Sequence, residues 1–304
     1  MKYLKIGLLS LIAFFTVVNI ANCQSEQEAI SKTDVKVAAK KKKKKKKVKL
    51  PDIDLSHWKV TLPVLNEKGK PYEIEPPEIF DFATNEVAKP YMYIDSTRGA
   101  IVFHAMPTAS KTRNTKYTRS ELREQMEPGN NNTNWTFADG AYMKGKIAMV
   151  ETTKDSEGKY HRTIIMQIHG RLTNEQRDLI GEDDNNAPPI LKIYWDNGKI
   201  RVKTKELKNL KASDTEILHE DAWGNDEGFN FEQEVGFRKF TLEVRVSKGK
   251  MVIVLNNNEY KVYENIHIRK WGIFENYFKA GNYFQSRDKG AFSKVRFYEL
   301  EVKH

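Results

Sequence analysis

The chain has 304 residues, of which 39% are hydrophobic and 30% are charged. The formal net charge of +10 resides in residues 1–50, which contain 13 Lys and three acidic residues, whereas residues 51–304 contain 38 basic and 38 acidic residues. A neutral domain without a basic stripe argues against nucleic-acid binding. A single cysteine, Cys23, excludes a disulfide framework, which a domain of this size can do without.

Residues 1–23 are typical of an export signal. Lys2 and Lys5 precede an apolar run from Ile6 to Ile20, and polar residues follow at once, which is unlike a transmembrane helix. Cys23 leaves two interpretations open: it is the lipidated first residue of a bacterial lipoprotein, or it belongs to an Ala-Asn-Cys cleavage site and is removed. In either case we expect a bacterial protein that is secreted or anchored as a lipoprotein at the outer membrane or cell surface.

Residues 24–50 are predicted to be a disordered linker. They contain eight consecutive lysines, Lys40 to Lys47, which repel one another and bury nothing. We prefer the interpretation of a solvated spacer. The alternative is that the lysines bind an anionic polymer, either of the cell surface or the substrate.

Residues 51–304 are predicted to form one all-β domain, because alternating segments recur with turn signals between them and no long helical period occurs. Segments 191–195 and 199–203 flank Asn197-Gly198, a strong hairpin signal. Segments 240–246 and 251–255 flank Lys248-Gly249 in the same way. Strands with one polar face predict a sandwich of two antiparallel sheets.

Two segments of this domain lack a strand pattern. Residues 130–134 are predicted to be a polar loop, and residues 172–189 a long loop that is a candidate lid over a ligand site. The acidic residues 182–184 lack the pattern of a calcium loop and are expected to be solvated.

Three separate segments place polar side chains on one face of a sheet and apolar side chains on the other, because alternate residues of a strand share a face. The polar faces contain Arg119, Glu121, Arg123 and Gln125; Gln167 and His169; and Tyr277, Lys279, Tyr283 and Gln285. The opposite faces, which suit a core, contain Leu122, Met126, Ile164, Met166, Ile168, Phe278 and Phe284. Cations, amides, a histidine and tyrosines at this density indicate a site for an anionic ligand.

The same segments resemble polysaccharide lyase family 7, a family of alginate lyases. That family carries the motifs R-[ST]-E-[LV]-R, Q-[IV]-H and Y-F-K-A-G-x-Y-x-Q in this order, and all three occur here without a mismatch, at residues 119–123, 167–169 and 277–285. The segment 54–63 also resembles the opening strand of the family. The resemblance implies a catalytic domain at residues 51–304, folded as a β-jelly roll whose concave sheet forms a groove for alginate.

The resemblance further implies β-elimination, in which a uronate loses its C5 proton and its 4-oxygen and becomes a 4,5-unsaturated sugar. Arg119, Gln167 and His169 would hold the C5 carboxylate, since its charge must be neutralised before the neighbouring proton can leave. Tyr283 would act as the acid, with His169 as the base for mannuronate and Tyr283 itself as the base for guluronate. Glu121 would orient its cationic neighbours, and adjacent sugars would be bound by Arg123, Tyr277, Lys279 and Gln285. We expect a monomer that needs no metal or cofactor.

Other functions fit these residues less well. A sugar hydrolase needs paired carboxylates, whereas the polar faces here hold cations and amides. A non-catalytic module that binds acidic polysaccharides would not need Tyr283 and His169 together. A lyase for another polyuronate stays open, as do the preference between guluronate and mannuronate and the choice between endo and exo cleavage.

Overall fold

A computed structural model of the chain describes residues 49–111 and 115–304. The expectations for the export signal, for Cys23 and for the lysine run lie outside the described residues. The strands are, in chain order, β1 (Asp52–Ile53), β2 (Trp58–Leu65), β3 (Pro71–Ile74), β4 (Met92–Asp95), β5 (Ala100–Ala105), β6 (Arg119–Glu124), β7 (Trp135–Thr136), β8 (Ala141–Thr152), β9 (Thr163–Arg171), β10 (Asn186–Asp196), β11 (Lys199–Leu207), β12 (Trp223–Asn225), β13 (Phe229–Glu234), β14 (Phe240–Ser247), β15 (Lys250–Leu255), β16 (Glu259–Tyr263), β17 (Glu275–Phe284) and β18 (Ser293–Lys303).

The strands form two sheets, and the chain passes between them repeatedly. One sheet, which we call the back sheet, has the order β16-β15-β14-β8-β18-β5-β4, with β1 parallel to β18. The other, which we call the groove sheet, has the order β12-β11-β10-β9-β17-β6-β2-β3, with β13 beside β11 and β7 beside β17. Apart from β1 the pairs are antiparallel, so the predicted all-β jelly roll of two sheets is confirmed.

The helices within the described residues are few and short. They are α1 (Asn174–Ile180), α2 (Ile266–Lys270) and 3-10 helices at Glu78–Asp81, Glu216–Leu218, Glu220–Ala222 and Trp271–Ile273. In the described ranges, no helix is long and apolar enough to cross a membrane.

The core lies between the sheets and is filled by alternate apolar residues of their strands. Leu122, Ile168 and Phe278 of the groove sheet are completely buried there, as are Leu242 and Val244 of the back sheet. Each large apolar side chain contributes about 1.5–3 kcal/mol when it is fully buried. Because a one-residue slip of a strand would turn all of these residues outward, the core fixes which side chains the groove sheet presents on its other face.

The hairpin signals read from the sequence are confirmed. Asn197 and Gly198 join β10 to β11 with φ values of 48° and 89°, the left-handed pair that a two-residue turn requires. Gly249, with φ of 70°, lies in the turn between β14 and β15.

The prediction of a structureless loop at residues 172–189 was wrong. Helix α1 occupies part of it, begun by a capping box between Thr173 and Gln176 and ended by Gly181 in the left-handed conformation. The helix buries none of its residues, so it has no apolar period to detect. Strand β10 then includes Pro188 and Pro189, which pairing irregularities on both sides accommodate.

One apolar residue was assigned to the wrong face. Ile164 was predicted to face the core, but it pairs with Tyr283 of β17 and Tyr194 of β10, which lie on the groove side. Ile165 joins the core in its place. The register of β9 against both neighbours shifts between Met166 and Ile164, and strict alternation cannot anticipate such a bulge.

Candidate active site

The three polar segments lie on neighbouring strands. Strand β17 is paired with β6 on one side and with β9 on the other. Lys279 is the partner of both Arg123 on β6 and Gln167 on β9, while Tyr283 is opposite Arg119 and Tyr277 is opposite His169. Directly opposite residues share a face, so the pairing brings the predicted polar side chains together on the groove sheet.

Glu121 is the acceptor around which this cluster is built. Its side chain is completely buried, and it takes Lys279 Nζ at 2.6 Å and Arg119 Nη1 at 3.3 Å on Oε2. Its Oε1 accepts from Gln167 Nε2 at 2.6 Å. A carboxylate without solvent needs such partners, because an unpaired buried charge is very costly. Glu121 therefore holds three donors from three strands in one place.

The cluster has unused hydrogen-bonding capacity and unused positive charge. Lys279 and Gln167 each give one N–H to Glu121 and keep others. Arg119 Nη2 is buried and has no hydrogen-bond partner. Two cations facing one carboxylate leave a local net charge of +1. An anion in the groove would satisfy both the charge and the idle donors.

Lys279 is buried among these groups. Its burial lowers the pKa of Lys279 to about 8, and the neighbouring Arg119 cation acts in the same direction against the attraction of Glu121. The ammonium is therefore charged at neutral pH but close to losing its proton.

His169 is held as a neutral imidazole. Its burial lowers the pKa of His169 to about 3, with contributions from the cations Lys279, Arg119 and Lys192. Its Nδ1 lies 3.0 Å from the Gly170 carbonyl oxygen. A carbonyl oxygen can only accept, so Nδ1 carries the hydrogen and Nε2 carries the lone pair. The ring stacks on Tyr277 with centroids 5.2 Å apart and an angle of 13°.

Tyr283 is protonated at neutral pH. Burial raises the pKa of Tyr283, opposed by Arg119 and by hydrogen bonds from the backbone of Tyr117 and Lys116. The Arg119 guanidinium carbon lies 4.2 Å from the centre of the Tyr283 ring. The tyrosine therefore provides a hydroxyl with a positive charge beside it.

Arg123 lies at the groove but gives its hydrogen bonds to a loop. It donates to the carbonyl oxygens of Glu124 at 2.5 Å and Asn131 at 2.9 Å and to Asn134 Oδ1 at 3.0 Å. Its guanidinium carbon lies 4.1 Å from the ring centre of Tyr277. Arg123 thus fixes the polar loop at residues 130–134 beside the groove.

Gln125 and Gln285, two further polar residues of the three segments, form their hydrogen bonds away from Glu121. Gln285 follows the end of β17, donates to the Tyr283 carbonyl oxygen at 3.0 Å and lines a separate cavity with Tyr117 and Arg287. Gln125 donates to Glu75 and Asn131 and supports the loop rather than the cluster.

The groove beside the cluster has a volume of about 470 Å³, and its lining includes residues that the sequence analysis missed. Lys59 and Glu73 form an ion pair of 2.7 Å at one side. Arg171 binds Glu275 at 2.5 Å and Asn132 at 3.0 Å. Alternation along β2 and β9 was a usable signal, since Lys59 and Arg171 share the parity of their polar neighbours.

A larger cavity of about 650 Å³ lies elsewhere in the sandwich. Its lining includes the carboxylates of Asp52, Asp54, Glu299 and Glu301 and none of the cluster around Glu121. An anionic ligand would be repelled there, so we place the site in the smaller groove. Within residues 49–111 and 115–304, no group of three or more potential metal ligands comes together.

Comparison with known proteins gives one family. A sequence model of the family described as alginate lyase matches residues 53–304. The comparison with curated proteins gave no significant match.

Solved structures with this fold include several lyases. A variant of the family 7 alginate lyase A1-II′ in complex with a substrate designated GGMG has a TM-score of 0.65 and 28% identity, over 83% of this chain and 94% of that chain. The A1-II′ structure at 1.0 Å has the same TM-score and 29% identity, over 83% and 96%. An alginate lyase from Corynebacterium sp. shares the fold at 23% identity and a TM-score of 0.55, over 85% and 99%.

Proposed function

The chain belongs to polysaccharide lyase family 7, the alginate lyases, and on that premise we propose that it depolymerises alginate by β-elimination at the cluster around Glu121. The observation that carries the proposal is the buried Arg119 Nη2, a charged donor without a partner on an arginine that lines the groove, beside groups whose charges sum to +1. A uronate carboxylate is the complementary ligand, since a guanidinium binds carboxylates through paired N–H groups.

The reaction places specific demands on these residues. A base removes the proton from C5, its electron pair forms the C4–C5 double bond, the C4–O4 bond breaks, and an acid protonates the departing oxygen. No water is consumed. Negative charge builds on the C5 carboxylate as the proton leaves, and preorganised donors aimed at that charge lower the barrier. Arg119 and Gln167 supply such donors, with the charge of Lys279 beside them.

His169 and Tyr283 are the proton-transfer groups in this proposal. The neutral His169 has its lone pair on Nε2 and can accept a proton, while the protonated Tyr283 can donate one. An arriving carboxylate offsets the cations that depress the pKa of His169 and so strengthens it as a base. Tyr283 can act as a base only after losing its own proton, which the Arg119 charge favours.

The stereochemistry of the two epimers decides how these groups are shared. In mannuronate the C5 proton and O4 lie on the same face of the ring, and in guluronate they lie on opposite faces. This stereochemistry reverses the assignment of bases to the two epimers that was expected from the sequence. We therefore propose His169 as base and Tyr283 as acid for guluronate, where two groups on opposite faces are needed, and Tyr283 in both roles for mannuronate.

Ultraviolet absorbance with alginate tests the proposed function, because elimination creates an alkene conjugated with the carboxylate. We expect absorbance to rise while the polymer shortens, and pure guluronate and mannuronate blocks to reveal the preference between epimers. Shortening without absorbance would identify a hydrolase, and binding without either change would identify a carbohydrate-binding module. Export of the mature enzyme, proposed from residues 1–23, is tested by locating the activity outside the producing cells.

A further inference from the structure

Three lysines extend the polar face of the groove sheet beyond the cluster around Glu121. Lys192 on β10 is opposite Gln167 on β9 and opposite Lys203 on β11. Lys205 lies two residues beyond Lys203 and therefore faces the same side. All three are half-buried, and apolar or small residues alternate with them on the core side. The three lysines thus form a continuous strip that begins beside the candidate catalytic groups.

The positive charge of this strip is only partly offset, by the carboxylate of Glu220, whose charge acts on Lys192 and Lys205. In the part of the chain that the structure describes, none of the three lysines forms an ion pair. Lys192 and Lys203 are directly opposite each other, an arrangement of like charges that destabilises a sheet. Burial lowers the pKa of Lys192 to about 8, and the charges of Lys205, Lys203 and Arg162 act in the same direction against that of Glu220. The sheet keeps three cations together at a cost that a bound anion would remove.

The opposite side of the groove has a different electrostatic character. There, Lys59 on β2 is paired with Glu73 on β3 at 2.7 Å, and Thr61 also donates to Glu73 at 2.8 Å. That flank is locally neutral, so free positive charge is concentrated towards β10 and β11. A long polyanion gains more from lying across the β10–β11 side than across the β2–β3 side.

We propose that Lys192, Lys203 and Lys205 form a basic ledge that binds the carboxylates of uronate units beyond the reacting one and makes the enzyme select for chain length. The inference rests on the proposed function, since it concerns the same substrate. Neighbouring strands lie about 4.8 Å apart. Lys192 therefore lies about one strand spacing from Gln167, and Lys203 lies about two. Each spacing is comparable to the length of one sugar unit in a pyranose chain.

The test compares substrates of increasing length. In Lys203→Gln/Lys205→Gln, we expect the ratio of kcat/KM on polymer to kcat/KM on a uronate trimer to fall roughly two- to thirtyfold, the range for losing two accessible ion pairs. The wild-type ratio should itself decline moderately with added salt, because half-buried lysines are open to solvent on one side and are therefore partly screened. Lys203→Arg/Lys205→Arg should retain the ratio, because the charge is kept.

The matched control removes the same charge from the β14–β15 turn and from β16 of the back sheet. Lys248→Gln/Lys261→Gln should leave the ratio unchanged, which separates local binding from a change in net charge. If Lys203→Gln/Lys205→Gln shows the wild-type ratio and still forms the alkene, the basic ledge is refuted and the proposed function stands. Absence of alkene from every uronate substrate overturns the proposed function, and the ledge with it. Thermal unfolding of each variant excludes loss of fold as the cause of a lower ratio.

Discussion

At the scale of single residues, two arginines on one strand illustrate how the hydrogen-bond partners of a side chain determine its function. Arg119 and Arg123 lie four positions apart on β6 with the same side-chain parity, and each covers a tyrosine of β17. Arg123 gives its hydrogen bonds to the loop at residues 130–134. Arg119 gives one to Glu121 and keeps its buried Nη2 unpaired. Arg119 therefore keeps a nitrogen without a partner for an anion, whereas both terminal nitrogens of Arg123, which also lines the groove, already form hydrogen bonds.

Replacing Arg119 with Ala should slow the chemical step. Loss of one donor to the developing charge typically costs roughly 3–4 kcal/mol of barrier, or about 10²–10³ in rate. We expect kcat to fall by that factor with alginate binding reduced less. Steady-state kinetics and direct binding measurements separate the two effects. A normal kcat with a raised KM would make Arg119 a binding group only and contradict the assignment.

Tyr283→Phe should abolish turnover while alginate binding largely persists, since only the hydroxyl is removed. A positioned acid or base typically contributes about 10²–10⁴ in rate. Tyr260→Phe is the matched control, because Tyr260 is exposed on β16 of the back sheet, and it should behave like the wild type. Near-normal alkene formation by Tyr283→Phe would refute the proposed proton transfer.

The pH dependence of kcat/KM should show a decline above about pH 8. This parameter reports the free enzyme, and the pKa of Lys279 is lowered to about 8, so its positive charge is present below that pH and lost above it. Lys279→Arg keeps the charge and should move the decline to higher pH.

Lys192 is the necessary control for the pH experiment, because its pKa is also lowered to about 8. Lys192→Gln should retain the decline if Lys279 causes it. A decline that is unchanged in Lys279→Arg and absent in Lys192→Gln would assign the titration to the ledge instead.

At the scale of elements, strand β17 explains the glycine in the third motif. Gly281 has φ of 141° and lies opposite Glu121. A Cβ there would come within 2.8 Å of the Ser120 carbonyl oxygen and 2.9 Å of Glu121 Cα. Backbone this close cannot move aside as a side chain can. The glycine therefore lets β6 approach β17 closely enough for Glu121 to reach Lys279.

Gly281→Ala should lower both stability and activity. A residue forced into this conformation costs about 1–3 kcal/mol, and relief of the contact would displace Glu121. Urea unfolding should show the loss of free energy, and kcat/KM should fall with it. Gly272→Ala is the matched control, because nothing lies within 4 Å of a Cβ at that position and its φ is ordinary. Equal stability of the two variants would show that β6 and β17 tolerate the side chain.

The sequence predicted those features of the elements that follow from local periodicity. Alternation with a buried face identified both hairpins and the polar faces of β6, β9 and β17. It could not show that β17 lies between β6 and β9, because their pairing joins residues more than 100 positions apart. It also misplaced Ile164, where a bulge breaks the alternation, and missed α1, whose helical signal lies in its caps rather than in a buried stripe.

At the scale of the whole molecule, net charge and the charge of the site are separate properties. Residues 51–304 are neutral overall, yet the cluster around Glu121 has a net charge of +1 and the ledge adds three unpaired lysines. The excess of positive charge in the chain resides in residues 1–50. A polyanionic substrate is therefore attracted by the local arrangement in the groove, which screening weakens less than the attraction of exposed charges.

Deleting residues 24–50 should leave folding and cleavage of short uronate oligomers intact. The few large apolar residues of the segment, Ile30, Val35, Val37, Val48 and Leu50, are scattered among polar and charged ones, and Leu50 is exposed. At its described end, the backbone bond from Lys49 N to the Ser96 carbonyl oxygen at 3.1 Å contributes about 1 kcal/mol. A shorter deletion of residues 24–48 keeps that bond and is the matched control. Both should resemble the mature chain on short oligomers, whereas attachment to long polyanions at low salt should weaken, because a run of exposed lysines is removed. If either truncated chain unfolds or fails on short oligomers, the lysine segment is part of the catalytic domain.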